Sequence, residues 1–197
     1  MKQGTNITGL VVCGGKSRRM GADKGLLEYY SQPQRQFVYD FLQEICSHVH
    51  ISCNRGQFAG IPPGYSFVCD DEKYATIGPM AALLTAINKF PATSFLLIGC
   101  DYPLFLKKDA ERLLYTSNEM AGAYYQSAAE LYEPLLAIYH PPVFDLVKKN
   151  FDGGRFSLQN ILQAAGAEKI LADDPSVITS VDDELLRRKI IKDLSLA

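Results

Sequence analysis

The sequence predicts a three-layer α/β/α fold built on a mostly parallel, doubly wound sheet. Two observations carry this. From Ile7 to about Thr116, short apolar runs alternate with segments whose apolar residues recur at helical intervals, the mark of right-handed strand–helix–strand units. Gly14-Gly15, Asn54, Asp71 and Asp101 each follow the carboxyl end of a predicted strand, where ligands bind in sheets of this kind. Four such features along one edge predict one shared site.

Taken in order, the apolar, β-branched run Ile7–Val12 is a buried strand that stops at Cys13 and gives way to paired glycines. Pro33 then starts a helix over residues 34–47, with Phe37, Val38, Phe41, Leu42 and Ile45 at helical spacing. Residues 49–53 form a short strand punctuated by Asn54-Arg55-Gly56, and residues 65–69 another, ending on Asp70-Asp71-Glu72. Gly78-Pro79 opens a helix that carries Met80, Leu83, Leu84 and Ile87 on one side. Ser94–Gly99 is the most continuous apolar strand and ends at Cys100-Asp101-Tyr102-Pro103, before helical spacing over residues 108–116.

Beyond Thr116 the rhythm changes. Ala121–Gln126 and residues 134–139 read as strands with no helix between them. Residues 143–151 and 158–165 read as helices separated by Asp152-Gly153-Gly154-Arg155, with Ser157 capping the second, and residues 182–192 form a charged terminal helix. No repeat and no Gly-, Pro- or Ser-rich linker marks a boundary, which predicts one domain over residues 1–197.

Composition narrows the function classes. The 197 residues are 47% hydrophobic and 21% charged, as in an ordinary globule. A net charge of −2 argues against nucleic acid or an anionic membrane as a general partner, so the basic cluster near the N-terminus is local. No apolar run approaches the ~20 residues of a membrane span. The first residues lack the apolar core of a signal peptide, which points to the cytoplasm. Five cysteines without a CxxC pair read as reduced, mostly buried thiols rather than a zinc or redox motif. His48 and His50 share a strand face but have no third ligand nearby in sequence, and read as a strand face rather than a metal site.

The chemistry concentrates in residues 10–27. Lys16, Arg18, Arg19 and Lys24 accompany Gly14, Gly15 and Gly21. Glycines let a backbone approach a ligand closely. Cations beside N–H groups freed by such a loop make a site for a polyanion, most simply a triphosphate. The loop is neither a Walker A motif, since Lys24 is followed by Gly25, nor GxGxxG, since no glycine follows Gly15 before Gly21. A basic surface loop after a strand is the plainer alternative. Asp101 has two readings as well: a ligand for Mg²⁺, which takes one or two carboxylates plus phosphate oxygens, or a cap on the following turn.

GGKSRRMGADKGLL closely resembles the signature LAGGxSxRMGxDKxLL of the MobA-like nucleotidyltransferases, the family of molybdenum cofactor guanylyltransferases. Cys100-Asp101-Tyr102-Pro103-Leu104 resembles its strand-end pattern, and Gly78-Pro79-Met80 its GPLAG segment. Glu133-Pro134-Leu135 and Gly154-Arg155-Phe156-Ser157-Leu158 resemble segments on its pterin side. The chain departs from the family in three places. Cys13 replaces an alanine, Ala82 replaces a glycine, and Ser180-Val181-Asp182-Asp183 stands where the family reads N-x-N-T-P.

The resemblance implies the nucleotidyltransferase form of the Rossmann-like fold, with the nucleotide in the first two-thirds and the acceptor substrate against residues 120–197. It implies nucleotide contacts from Val12, Cys13, Gly14, Gly15, Lys24, Asn54, Asp71, Gly78, Pro79 and Asp101, with Asp71 preferred to Asp70. Arg19, Lys24 and Asp101 would be catalytic, with Mg²⁺ on Asp101 as cofactor. The implied reaction moves GMP from GTP to molybdopterin or molybdenum cofactor, with proteins that deliver or receive the cofactor as further partners. Gly14-Gly15 matches the guanylyl rather than the cytidylyl form of the signature. A cytidylyl donor, a sugar or polyol phosphate acceptor, and a non-catalytic nucleotide-binding regulator remain as alternatives.

Overall fold

The computed structural model describes residues 6–13 and 23–195, so Gly14, Gly15 and Arg19 lie outside the described residues. Seven strands form one sheet: β1 (Ile7–Val12), β2 (His48–Cys53), β3 (Phe67–Cys69), β4 (Ser94–Gly99), β5 (Ala121–Gln126), β6 (Leu131–Tyr139) and β7 (Glu168–Ile170). Their order is β3-β2-β1-β4-β6-β5-β7. The pairs β1–β2, β1–β4, β2–β3 and β5–β7 are parallel, while β6 runs antiparallel to both β4 and β5. The mostly parallel α/β sheet expected from the alternation is therefore present.

Among the described residues six α-helices accompany the sheet: α1 (Gln34–Gln43), α2 (Met80–Lys89), α3 (Lys107–Leu113), α4 (Phe144–Asp152), α5 (Leu158–Ala164) and α6 (Glu184–Leu194). Side chains alternate between the two faces of a strand, so one strand feeds two cores. On one face Leu10 and Val12 of β1 and Phe95 and Leu97 of β4 pack with α2, α4 and α5. On the other, Ile7 and Val11 of β1 and Leu96 and Ile98 of β4 pack with α1 and α3. That double burial explains why both strands read as continuous apolar runs.

Several bounds differ from the sequence expectation. The first helix stops at Gln43, four residues early, because the chain must turn for the Ser47 N–H to reach the Ile7 carbonyl at 2.9 Å. β6 begins at Leu131, three residues before the expected start, although it contains Pro134. Pro134 has no N–H to give a ladder. Register shifts there, from Ala123 opposite Ala137 to Tyr125 opposite Tyr132. β7 was not foreshadowed, since Glu168-Lys169-Ile170 is too short and polar to show a period. Ser157 caps α5 as expected, accepting from the Asn160 N–H at 3.2 Å. His48 and His50 lie on β2, and the His50 ring stacks on Phe90 at 5.2 Å.

At Gly122, the second residue of β5, a Cβ would lie 2.5 Å from both Thr116 Cγ2 and Oγ1. Gly122→Ala should cost about 1–3 kcal/mol by overpacking. Adding Thr116→Ala should recover part of that loss, as read from denaturant midpoints of the single and double variants.

Candidate active site

The site is set by the register of two neighbouring strands. Val12 of β1 stands beside Gly99 of β4, and the Cys100 N–H continues the ladder to the Val12 carbonyl at 3.1 Å. Cys13 and Cys100 therefore end their strands side by side, with sulfurs 3.7 Å apart and both residues buried. Contact with Cys13 and burial hold the Cys100 thiol well above its ordinary range. Asp101 follows immediately at the carboxyl edge.

Asp101 is positioned from beneath by Gly99. A Cβ on Gly99 would fall 2.6 Å from Asp101 Oδ1, 3.1 Å from Tyr102 Cε2 and 3.2 Å from Leu135 Cβ. The missing side chain is thus the room in which the carboxylate sits. The next residue, Tyr102, is buried and donates its hydroxyl to Glu133 Oε2 at 2.6 Å, while Gln126 Nε2 donates to the other Glu133 oxygen. This chain ties the strand-end turn to β5 and β6. Burial pushes the Glu133 carboxyl up, and the two donors pull it back.

Lys24 opens a single 3-10 turn, Lys24–Leu26. The turn is capped by Asp23, whose Oδ1 accepts from the Gly25 N–H at 2.9 Å while Oδ2 accepts from Gln57 Nε2 at 3.0 Å. The Lys24 ammonium reaches Asp101 Oδ2 at 3.6 Å and Asp182 Oδ1 at 2.6 Å. The Lys24 and Asp101 side chains are only 18% and 23% exposed, against 59% for Asp182. Burial raises the Asp101 carboxyl above its ordinary value; the Lys24 ammonium lowers it and the Asp182 carboxylate raises it. Asp182 is itself oriented: Ser180 Oγ donates to its Oδ2 at 3.1 Å, and the Val181 N–H donates to the Asp101 carbonyl at 2.7 Å.

The other expected residues line the same edge with their side chains engaged in their own turns. Val12 and Cys13 are buried at the end of β1, and the Cys13 N–H donates to the Ser52 carbonyl at 3.4 Å. Asn54 follows β2, and its Oδ1 accepts from the Gly56 N–H at 2.8 Å. Asp71, beyond β3, caps a short turn by accepting from the Lys73 N–H at 3.1 Å, and its own N–H donates to Thr85 Oγ1 of α2. Asp70 accepts from Ser52 Oγ at 2.8 Å and is pushed up by burial. Gly78 has φ +67°, which favours glycine, and with Pro79 it leads into α2. The structure thus joins Lys24 to Asp101 directly, and sets Asn54 and Asp71 one and two strands further along.

Asp182 is the residue that sequence reasoning missed at this position. The departure of residues 180–183 from the family pattern was visible, but nothing local said that it returns to Lys24. Among the described residues no three His, Cys, Asp or Glu side chains converge as a metal site, and no helix is long and apolar enough to cross a membrane.

A mostly parallel sheet carrying a lysine–aspartate pair at its carboxyl edge fits an α/β protein of the nucleotidyltransferase class. The chain belongs to the MobA-like NTP transferase domain family, whose model matches residues 9–173. It is 32% identical over 180 residues to a molybdenum cofactor biosynthesis bifunctional protein of Synechocystis sp., covering 90% of this chain and 52% of that one; the chain thus spans about half that relative's length. It is also 32% identical over 165 residues to a molybdenum cofactor guanylyltransferase of Serratia proteamaculans, covering 83% of each. The fold matches molybdopterin-guanine dinucleotide biosynthesis protein A from Archaeoglobus fulgidus with a TM-score of 0.76 at 16% identity, covering 96% of this chain and 100% of that one.

Lys24→Met should raise the Asp101 titration midpoint further, because it removes the nearest charge that favours the ionised carboxylate. A carboxyl-carbon NMR titration of Asp101 in both proteins measures this; an unchanged midpoint would mean that the pair does not persist in solution.

Proposed function

We propose that this protein is a molybdenum cofactor guanylyltransferase, transferring GMP from GTP to molybdopterin or molybdenum cofactor with release of pyrophosphate. The observation that carries this reading is the Lys24 ammonium held beside the recessed Asp101 carboxylate at the sheet's carboxyl edge. The relatives that bear the guanylyltransferase name give it the substrate class. In this reading the protein acts in the cytoplasm as a single domain.

The reaction needs no protein nucleophile. A phosphate oxygen of the acceptor bonds to the α-phosphorus of GTP, the bond from that phosphorus to the β-phosphate oxygen breaks, and pyrophosphate leaves with the electron pair. The protein's task is to hold the two phosphates in line and to offset charge on the leaving group. Lys24 would do the second with Arg19. Asp101 suits Mg²⁺, being a hard oxygen donor at a recessed strand end, and it would hold the ion together with phosphate oxygens. Bound there, the ion would neutralise triphosphate charge. The backbone of Val12, Cys13, Gly14 and Gly15, with Asn54, Asp71, Gly78 and Pro79, would line the nucleotide. Residues 120–197, through Glu133 and its neighbours, would face the acceptor.

Asp101→Asn should abolish Mg²⁺-dependent turnover with the fold intact, because an amide does not supply the charge the ion needs. Lys24→Ala should lower kcat/KM by roughly 10²-fold or more. Pyrophosphate release from GTP plus acceptor, with and without Mg²⁺, measures both, and near-wild-type rates in either variant would remove that residue from the site.

GTP should be preferred to CTP and ATP. Gly14-Gly15 matches the guanylyl form of the family signature, and a pocket that hydrogen-bonds base edges rejects the wrong base strongly. Comparison of kcat/KM for the three nucleotides with one acceptor decides it. Equal use of CTP would overturn the guanylyl reading.

A further inference from the structure

We propose that Asp182 is a positioning residue for Lys24, and that by competing for its ammonium it makes the site favour metal-charged over bare polyphosphate. The inference rests on Lys24 being the lysine that contacts phosphate.

The geometry is specific. Asp182 takes the shorter of the two contacts that Lys24 makes with carboxylates, 2.6 Å against 3.6 Å to Asp101. It is held for that task by Ser180 Oγ and by the Val181 N–H bonded to the Asp101 carbonyl. It is also the most exposed of the three. A bare pyrophosphate or triphosphate must therefore take the ammonium from a charged hydrogen bond while approaching two carboxylates. A divalent cation on the polyphosphate offsets two of its negative charges, so the two carboxylates repel the complex less and can face the cation itself. Asp182 thus penalises the bare ligand more than its metal complex. An asparagine at position 182 would keep the shape and remove the penalty.

The test is calorimetric titration of pyrophosphate and of GTP, each with excess EDTA and with Mg²⁺, into wild type, Asp182→Asn and Asp182→Glu. Asp182→Asn should bind metal-free pyrophosphate about tenfold more tightly, with little change or a loss for the Mg²⁺ complex. Asp182→Glu, which keeps the charge, should bind metal-free pyrophosphate as weakly as wild type. A general structural disturbance would instead weaken both forms together, and that result overturns the proposal. So does metal-free pyrophosphate binding to Asp182→Asn no tighter than to wild type. If pyrophosphate behaves as expected but GTP binds to none of the proteins, the nucleotide reading fails and the role of Asp182 stands.

Discussion

The parallel register of β1 against β4 places Val12 beside Gly99 and so brings the ends of two central strands level. From that one alignment follow the adjacent thiols of Cys13 and Cys100, the exit of Asp101 at the carboxyl edge, and its reach to Lys24. A slip of one residue would turn every side chain of β1 to the opposite face. Leu10 and Val12 would trade cores with Val11 and Cys13, so the two helical layers enforce the register that the site needs.

The antiparallel β6 gives the sheet its second character. Inserted between β4 and β5, it carries Glu133 to the Tyr102 hydroxyl and sets Leu135 beside Gly99. The strand-end turn that bears Asp101 is therefore braced from the C-terminal third of the chain. The backbone bond from Val181 to the Asp101 carbonyl does the same from the other side. The two parts of the sequence that read so differently meet on a single residue.

The elements legible in the sequence were those whose signal is local. Buried strands show as unbroken apolar runs, α2 by its helical spacing after Gly78-Pro79, and the α5 cap by Ser157. Lys24 and Asp101 were legible because a glycine-rich loop and a strand-end carboxylate are recognisable within a few residues. Asn54 and Asp71 follow the ends of β2 and β3, as their places after apolar runs implied. What was hidden depends on distant partners. The thiol pair of Cys13 and Cys100 needs the β1–β4 register, and Asp182 needs the path of the whole C-terminal third. β7 has no pattern of its own and exists by pairing with β5.

The bridge from Lys24 to Asp182 joins residues 158 positions apart. Contacts of such sequence separation cannot form until all the intervening residues are made, and closing so long a loop carries an entropic cost that earlier structure must already offset. During synthesis the lysine is displayed long before Asp182 exists, since Lys24 precedes it by 158 residues. Asp101 emerges in between, midway through the chain. The order of assembly is thus written into the order of the sequence: Lys24, then the strand-end carboxylate, and last the segment that reaches both.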